Sequence, residues 1–177
     1  MRTAAYLGVA VLLILVQANL YRLIGPLGAI VGAQWVHGIT PSLVLPLVVY
    51  LGVHELSAPR GALLAFGIGY AEDILSGAPI GLFTFISVAI WWLARVAGVR
   101  LSAQTALPRM SLALAFSLVE GAMVLILLAV FGEDTRRPVE VASIVIPRSL
   151  STALFSPPVF RLAAVLRQTA TPVRAEG

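Results

Sequence analysis

Four ionisable side chains stand inside otherwise apolar stretches of this chain: Glu72, Asp73, Glu120 and Arg148. A charge in such surroundings is costly, so each needs either a partner or a task. Gly61, Ala65, Gly69 and Asp73 follow one another at intervals of four, which stacks them along one helix face. Small residues at that spacing admit another helix closely, and the stripe ends in a carboxylate. The Ser76–Pro79 segment then reverses the chain in very few residues. Asp73 is therefore expected to hydrogen-bond the turn amides and fix a tight helical hairpin; a proton or cation site is the alternative. Glu120 lies about twelve residues, hence roughly 18 Å, from either end of its apolar run. A carboxylate at that depth is expected to be neutralised by a proton or to face a polar cavity, as a structural acid or as part of a relay. Arg148, roughly 10 Å below the outer end of the last run, is expected to pair with Glu72 or Asp73. Their side chains lean towards one another in height, whereas that of Glu120 leans away.

Other chemistries are poorly provided for. The chain has no cysteine, which excludes disulfides, thiolate metal sites and a cysteine nucleophile. His37 and His54 are too few for most metal-dependent reactions. No Gly-x-Ser-x-Gly elbow, His-Glu-x-x-His helix or phosphate-binding loop is present. The twelve basic residues, all Arg, are scattered and form no patch that could follow a nucleic-acid backbone. Neither a catalytic constellation nor a cofactor site is expected.

The elements that must position these residues are set by hydropathy. Of the 177 residues 59% are hydrophobic and 11% charged, with mean hydropathy +0.98. A soluble domain of this size still needs a charged exterior, so the solvent for most of the chain must be lipid. A spanning helix takes roughly 20 mostly apolar residues. The pattern predicts an all-α bundle of about six transmembrane helices: Ala4–Leu23, Ile39–Glu55, Arg60–Ser76, Pro79–Gly98, Pro108–Gly132 and Val141–Leu166. The second and third are short and open to re-entrant geometry. Pro41 and Pro108 fall near helix starts, while Pro46, Pro147, Pro157 and Pro158 fall inside helices and predict kinks. The first run is too long for a secretory signal and carries Gln17 and Asn19, so it reads as an uncleaved helix. Gly25–Gly38, with Trp35, reads as an interfacial or re-entrant loop. Trp91 and Trp92 read as interfacial belt residues. Residues 1–167 form a single transmembrane domain on this reading, and 168–177 a disordered polar tail.

Orientation follows from the arginines. A cytoplasmic N-terminus places Arg2, Arg60, Arg95, Arg100, Arg109, Arg161, Arg167 and Arg174 inside and only Arg22, Arg136 and Arg137 outside. Both termini are then cytoplasmic, and the Glu133–Glu140 loop faces the periplasm of a bacterial inner membrane.

In this setting the glycines, the Asp and the Ser-Gly turn of the third-to-fourth-helix hairpin resemble the rod-shape-determining MreD family, matching at Gly67, Asp73, Ser76, Gly77 and Gly81. The Pro41-Ser42 pair, the apolar run to Tyr50 and the acid at Glu120 are similar to the family too, and the resemblance extends from Thr40 to Arg167. Departures are the long Gly25–Gly38 segment and Arg148, where a small or amide side chain is expected. The resemblance implies a non-enzymatic scaffold of the cell-wall elongation machinery. It would bind MreC, and through it MreB, the RodA glycosyltransferase and a penicillin-binding transpeptidase. The alternative is the substrate-binding subunit of an energy-coupling-factor vitamin transporter, also a small six-helix bundle. That reading predicts a polar pocket under a long outer loop.

Overall fold

A computed structural model describes residues 2–24, 40–54, 57–77, 79–97, 106–131 and 138–169. These form six α-helices: α1 (Arg2–Ile24), α2 (Val44–His54), α3 (Ala58–Ser76), α4 (Leu82–Val96), α5 (Ala106–Phe131) and α6 (Pro138–Thr169). No strand occurs among the described residues. Windows in α1, α5 and α6 are long and apolar enough to cross a membrane, whereas α2 and α4 are apolar but shorter. Trp35, His37 and the rest of the expected Gly25–Gly38 loop lie outside the described residues, as do positions 170–177 of the expected tail. Gln168 and Thr169, assigned to that tail, instead continue α6.

The sixth helix also begins earlier than its hydropathy implied, at Pro138 rather than Val141. Proline suits a first helical position because its missing N–H has no intrahelical partner there. The earlier start sets Arg148 about one turn deeper in its helix.

The short α2 is the axis of the bundle. Every residue from Val44 to Gly52 is buried, and α2 touches all five other helices. A helix apolar on all faces belongs in an interior, and this one is only 11 residues, roughly 16 Å, long. It starts later than its hydropathy suggested because Pro41 and Ser42 are not helical. They belong to a stretch, 40–43, threading the bundle interior ahead of α2, where each bare amide needs a partner. Two polar side chains from other helices provide them: Ser42 N–H donates to Thr152 Oγ1 of α6 at 2.9 Å, and Leu43 N–H donates to Gln17 Oε1 of α1 at 3.0 Å. With the start at Val44, Pro46 falls in the first turn, where its missing N–H costs nothing, rather than in the interior as its place in the apolar run implied.

The three interior prolines of α6 leave it a continuous helix over 32 residues. At Pro157 the missing N–H frees the carbonyl of Ala153, and the helix supplies its own replacement: Ser156 Oγ donates to that carbonyl at 2.8 Å. The substitute is a local hydroxyl, not the neighbouring helix expected.

Helix α3 shows how the chain is turned inside out for lipid. Its buried face carries Gly61, Ala65, Gly69, Glu72 and Asp73, while Leu63, Phe66, Tyr70 and Ile74 point outward. The small-residue stripe lies against α4 of the same chain. A side chain at Gly69 would meet Phe83 O at 2.5 Å and Thr84 Cα at 2.6 Å, and one at Gly61 would strike the Trp91 indole. Gly52 of α2 approaches the same helix at Ala94 and at the Trp91 carbonyl. Trp91 is consequently buried, with Arg95 set 5.7 Å over its ring, whereas Trp92 is exposed as a belt residue would be. In lipid such contacts hold by dispersion and hydrogen bonding rather than by removing apolar surface from water, so close backbone approach is what stabilises the pairing.

Candidate functional site

Adjacent acids on α3 serve two different places. Asp73 closes the α3–α4 hairpin. Gly77, at φ 68°, ends α3 and Gly81, at φ 101°, opens α4, conformations that glycine adopts without steric cost. Gly81 has no side chain with which to cap the helix it opens, and Asp73 reaches across to do so. Its Oδ2 accepts from Gly81 N–H (2.9 Å), Thr84 N–H (3.1 Å) and the Thr84 hydroxyl (2.6 Å), and its Oδ1 accepts from Phe83 N–H (2.7 Å). A carboxylate on the first amides of a helix satisfies orphan donors and meets the positive end of the helix dipole. The turn-capping expected of Asp73 is thus realised in four hydrogen bonds, while Ser76 sits exposed at the end of α3.

Glu72 points the other way, into the bundle. It is 5% exposed and lines a cavity of about 10 Å³ together with Val44, Val48, Ile86, Ser87 and Glu120. Its carboxyl group interacts electrostatically with Glu120, Arg148 and Asp73, and no described residue donates a hydrogen bond to it. Glu120, 6% exposed, lines that cavity and also a second one of about 60 Å³ between α5 and α6. The second cavity is bounded by Ser117, Gly121, Val145, Arg148 and Ser149.

Arg148 pairs with Glu120, its Nη2 3.8 Å from Glu120 Oε1, and not with Glu72 or Asp73 as the sequence suggested. Two causes decide this. Starting α6 at Pro138 puts Arg148 ten residues, roughly 15 Å, from the start of its helix, level with Glu120, eleven residues before the end of α5. Furthermore α5 and α6 form the most extensive helix pair of the bundle, whereas Asp73 is consumed by the turn. The opposed lean of the two side chains persists as a long contact, well beyond the 2.7–2.9 Å range of a close charge-assisted bond. Around it three buried polar atoms make no hydrogen bond: Arg148 Nε, Ser149 Oγ and Ser42 Oγ. The Ser42 side chain lies beside the Glu120 carboxyl without completing a bond of good geometry.

Thr152 and Ser149 were not singled out from the sequence, while Gln17 was noted only as evidence against a secretory signal and Ser42 only as part of the Pro41-Ser42 pair. Their signal was a polar side chain inside an apolar run, strongest on α6, where Ser149, Thr152 and Ser156 recur at helical spacing and are all buried. His54 stacks on Tyr50 at 4.2 Å between centroids and approaches its carbonyl at 3.2 Å, a local arrangement remote from the acids. Among the described residues no cluster of three or more metal-ligating side chains occurs.

Among the described residues this arrangement brings together two buried carboxylates, one guanidinium and several hydroxyls, groups suited to binding and proton chemistry. Comparison with protein-family models, with curated proteins and with solved structures finds no match.

Proposed function

We propose that this chain is a multi-pass protein of the bacterial inner membrane with both termini in the cytoplasm, acting as a non-enzymatic scaffold of the cell-wall elongation machinery. The reading rests on the resemblance of its hairpin to the MreD family. The observation that supports it most is that Gly77, Gly81 and Asp73, which carry that resemblance, are the residues that build the α3–α4 turn. A chain of this kind presents rigid helix faces and short loops, and its partners would be MreC and, through it, MreB, RodA and a penicillin-binding transpeptidase.

The Gly61–Ala65–Gly69 stripe is occupied by α4 and is unavailable to MreC. Outward-facing large side chains on α3 and α4, such as Phe66, Tyr70, Phe85 and Trp92, belong to the surface that lipid or a partner helix would cover.

Purification from native membranes, followed by identification of bound proteins, tests the reading directly. Recovery of MreC is the expected result, together with rounding of rod-shaped cells depleted of the protein. Uptake of a labelled vitamin that depends on this chain would instead favour the transporter alternative. Orientation is tested by single cysteines replacing Ser102 and Glu133: only the second should react with an impermeant thiol reagent applied from outside.

A further inference from the structure

The residues around Glu120 form a graded path rather than an isolated ion pair. At the outer surface of the α5–α6 pair, the Arg148 side chain is 32% exposed and borders the 60 Å³ cavity. Ser149, 1% exposed, lines that cavity with a hydroxyl that has no partner, and Ser117 lines it from α5. Glu120 stands at its inner wall and is shared with the 10 Å³ cavity that holds Glu72. Among the described residues, the charged groups facing this region are Glu72 and Asp73 from α3, Glu120 from α5 and Arg148 from α6. Among the residues lining the inner cavity, α2 and α4 contribute only neutral side chains. From α1, the neutral Gln17 is engaged with Leu43 N–H.

Among these described groups the charges do not balance. Asp73 is fully used by the turn, leaving two buried carboxylates against one guanidinium. One further positive charge is needed, since an uncompensated carboxylate in a low-dielectric interior is strongly disfavoured. The inner cavity has room for about one water molecule and none for a hydrated metal ion. A proton fits that space, carried directly or through one bridging water.

We propose that Glu72 and Glu120 form an intramembrane proton-binding site: the pair holds one exchangeable proton, Glu120 passes it between the two cavities, and Arg148 and Ser149 flank the entry. This site is independent of the scaffold reading, because it requires only the chain itself.

The test is infrared spectroscopy of the purified full-length protein in lipid nanodiscs, reading the carbonyl stretch of protonated carboxyl groups. At pH 7, where exposed carboxylates are ionised, a protonated-carboxyl band should be present and should shift in D₂O as the proton exchanges. Glu72→Gln and Glu120→Gln should each remove it, the remaining carboxylate being neutralised by Arg148. Arg148→Gln should increase the band about two-fold, since both acids must then be protonated. Absence of the band in the unaltered protein at pH 7 would overturn the proposal without recourse to any variant. So would loss of the band on adding sodium at constant pH, which would identify a sodium site instead, or its persistence in both Gln variants.

Discussion

Glu72 and Asp73 are neighbours in the chain, both buried and chemically alike, yet they occupy opposite ends of a scale of satisfaction. Asp73 accepts four hydrogen bonds within one turn. Glu72 accepts none from the described residues and looks across a small cavity at a second acid. The first carboxylate has no capacity left and can only hold structure. The second retains lone pairs, a shared cavity and a distant cation, which is the condition for binding something. Burial alone does not separate structural from functional charge; the count of donors around each oxygen does.

The largest effect should come from Asp73. Asp73→Leu strands three backbone amides at the start of α4 and removes the group that joins the two helices. We expect a loss of about 3 to 5 kcal/mol, seen as little folded protein in membranes and a much lower unfolding midpoint. Glu72→Gln should leave the folded amount near normal. If Glu72→Gln proves as damaging as Asp73→Leu, the contrast between the two acids is wrong.

Gly69→Leu should rank close behind. Its side chain would be driven into the α4 backbone, which cannot yield as a side chain tip would. Loss of folded protein is the expected outcome. An abundant, folded Gly69→Leu protein that merely fails to bind its partner would contradict the packing of α3 on α4.

A double-mutant cycle addresses the ion pair. Arg148→Leu leaves Glu120 without its cation, and adding Glu120→Leu should recover part of the loss. The coupling should be about 1 kcal/mol, small because the contact is long and Arg148 is partly exposed. The cycle with Asp73→Leu should be additive. Strong coupling to Asp73 and none to Glu120 would restore the pairing suggested by sequence.

The smallest loss from a single substitution is expected at the entrance to α2. Thr152→Val removes the acceptor of the Ser42 N–H while keeping the shape of the side chain, and should cost about 1 to 2 kcal/mol. Gln17→Leu should act similarly through Leu43. Thermal unfolding in detergent would measure both, and a neutral result at both sites would mean that water satisfies these amides instead.

Several features were legible without the fold. Hydropathy placed six helices near their observed positions, because a segment that must meet lipid has to be apolar over most of its length. The four-residue spacing of Gly61, Ala65, Gly69 and Asp73 identified one helix face and its carboxylate, because helical periodicity is a local property. The glycines of the turn and the capping acid were recognisable for the same reason, since donors and acceptor lie within eleven residues of one another. What only the tertiary structure decided was which faces meet. Whether the small stripe packs on its own α4 or on another protein depends on helix arrangement, to which spacing along one helix is blind. The partner of Arg148 turned on a helix start displaced by three residues and on α5 lying beside α6. The non-helical approach to α2 is tolerated only because Gln17 and Thr152 arrive from segments 26 and 110 residues away. Local sequence sets each helix and the polarity of its faces; long-range packing decides which buried charge is satisfied and which is left free to bind.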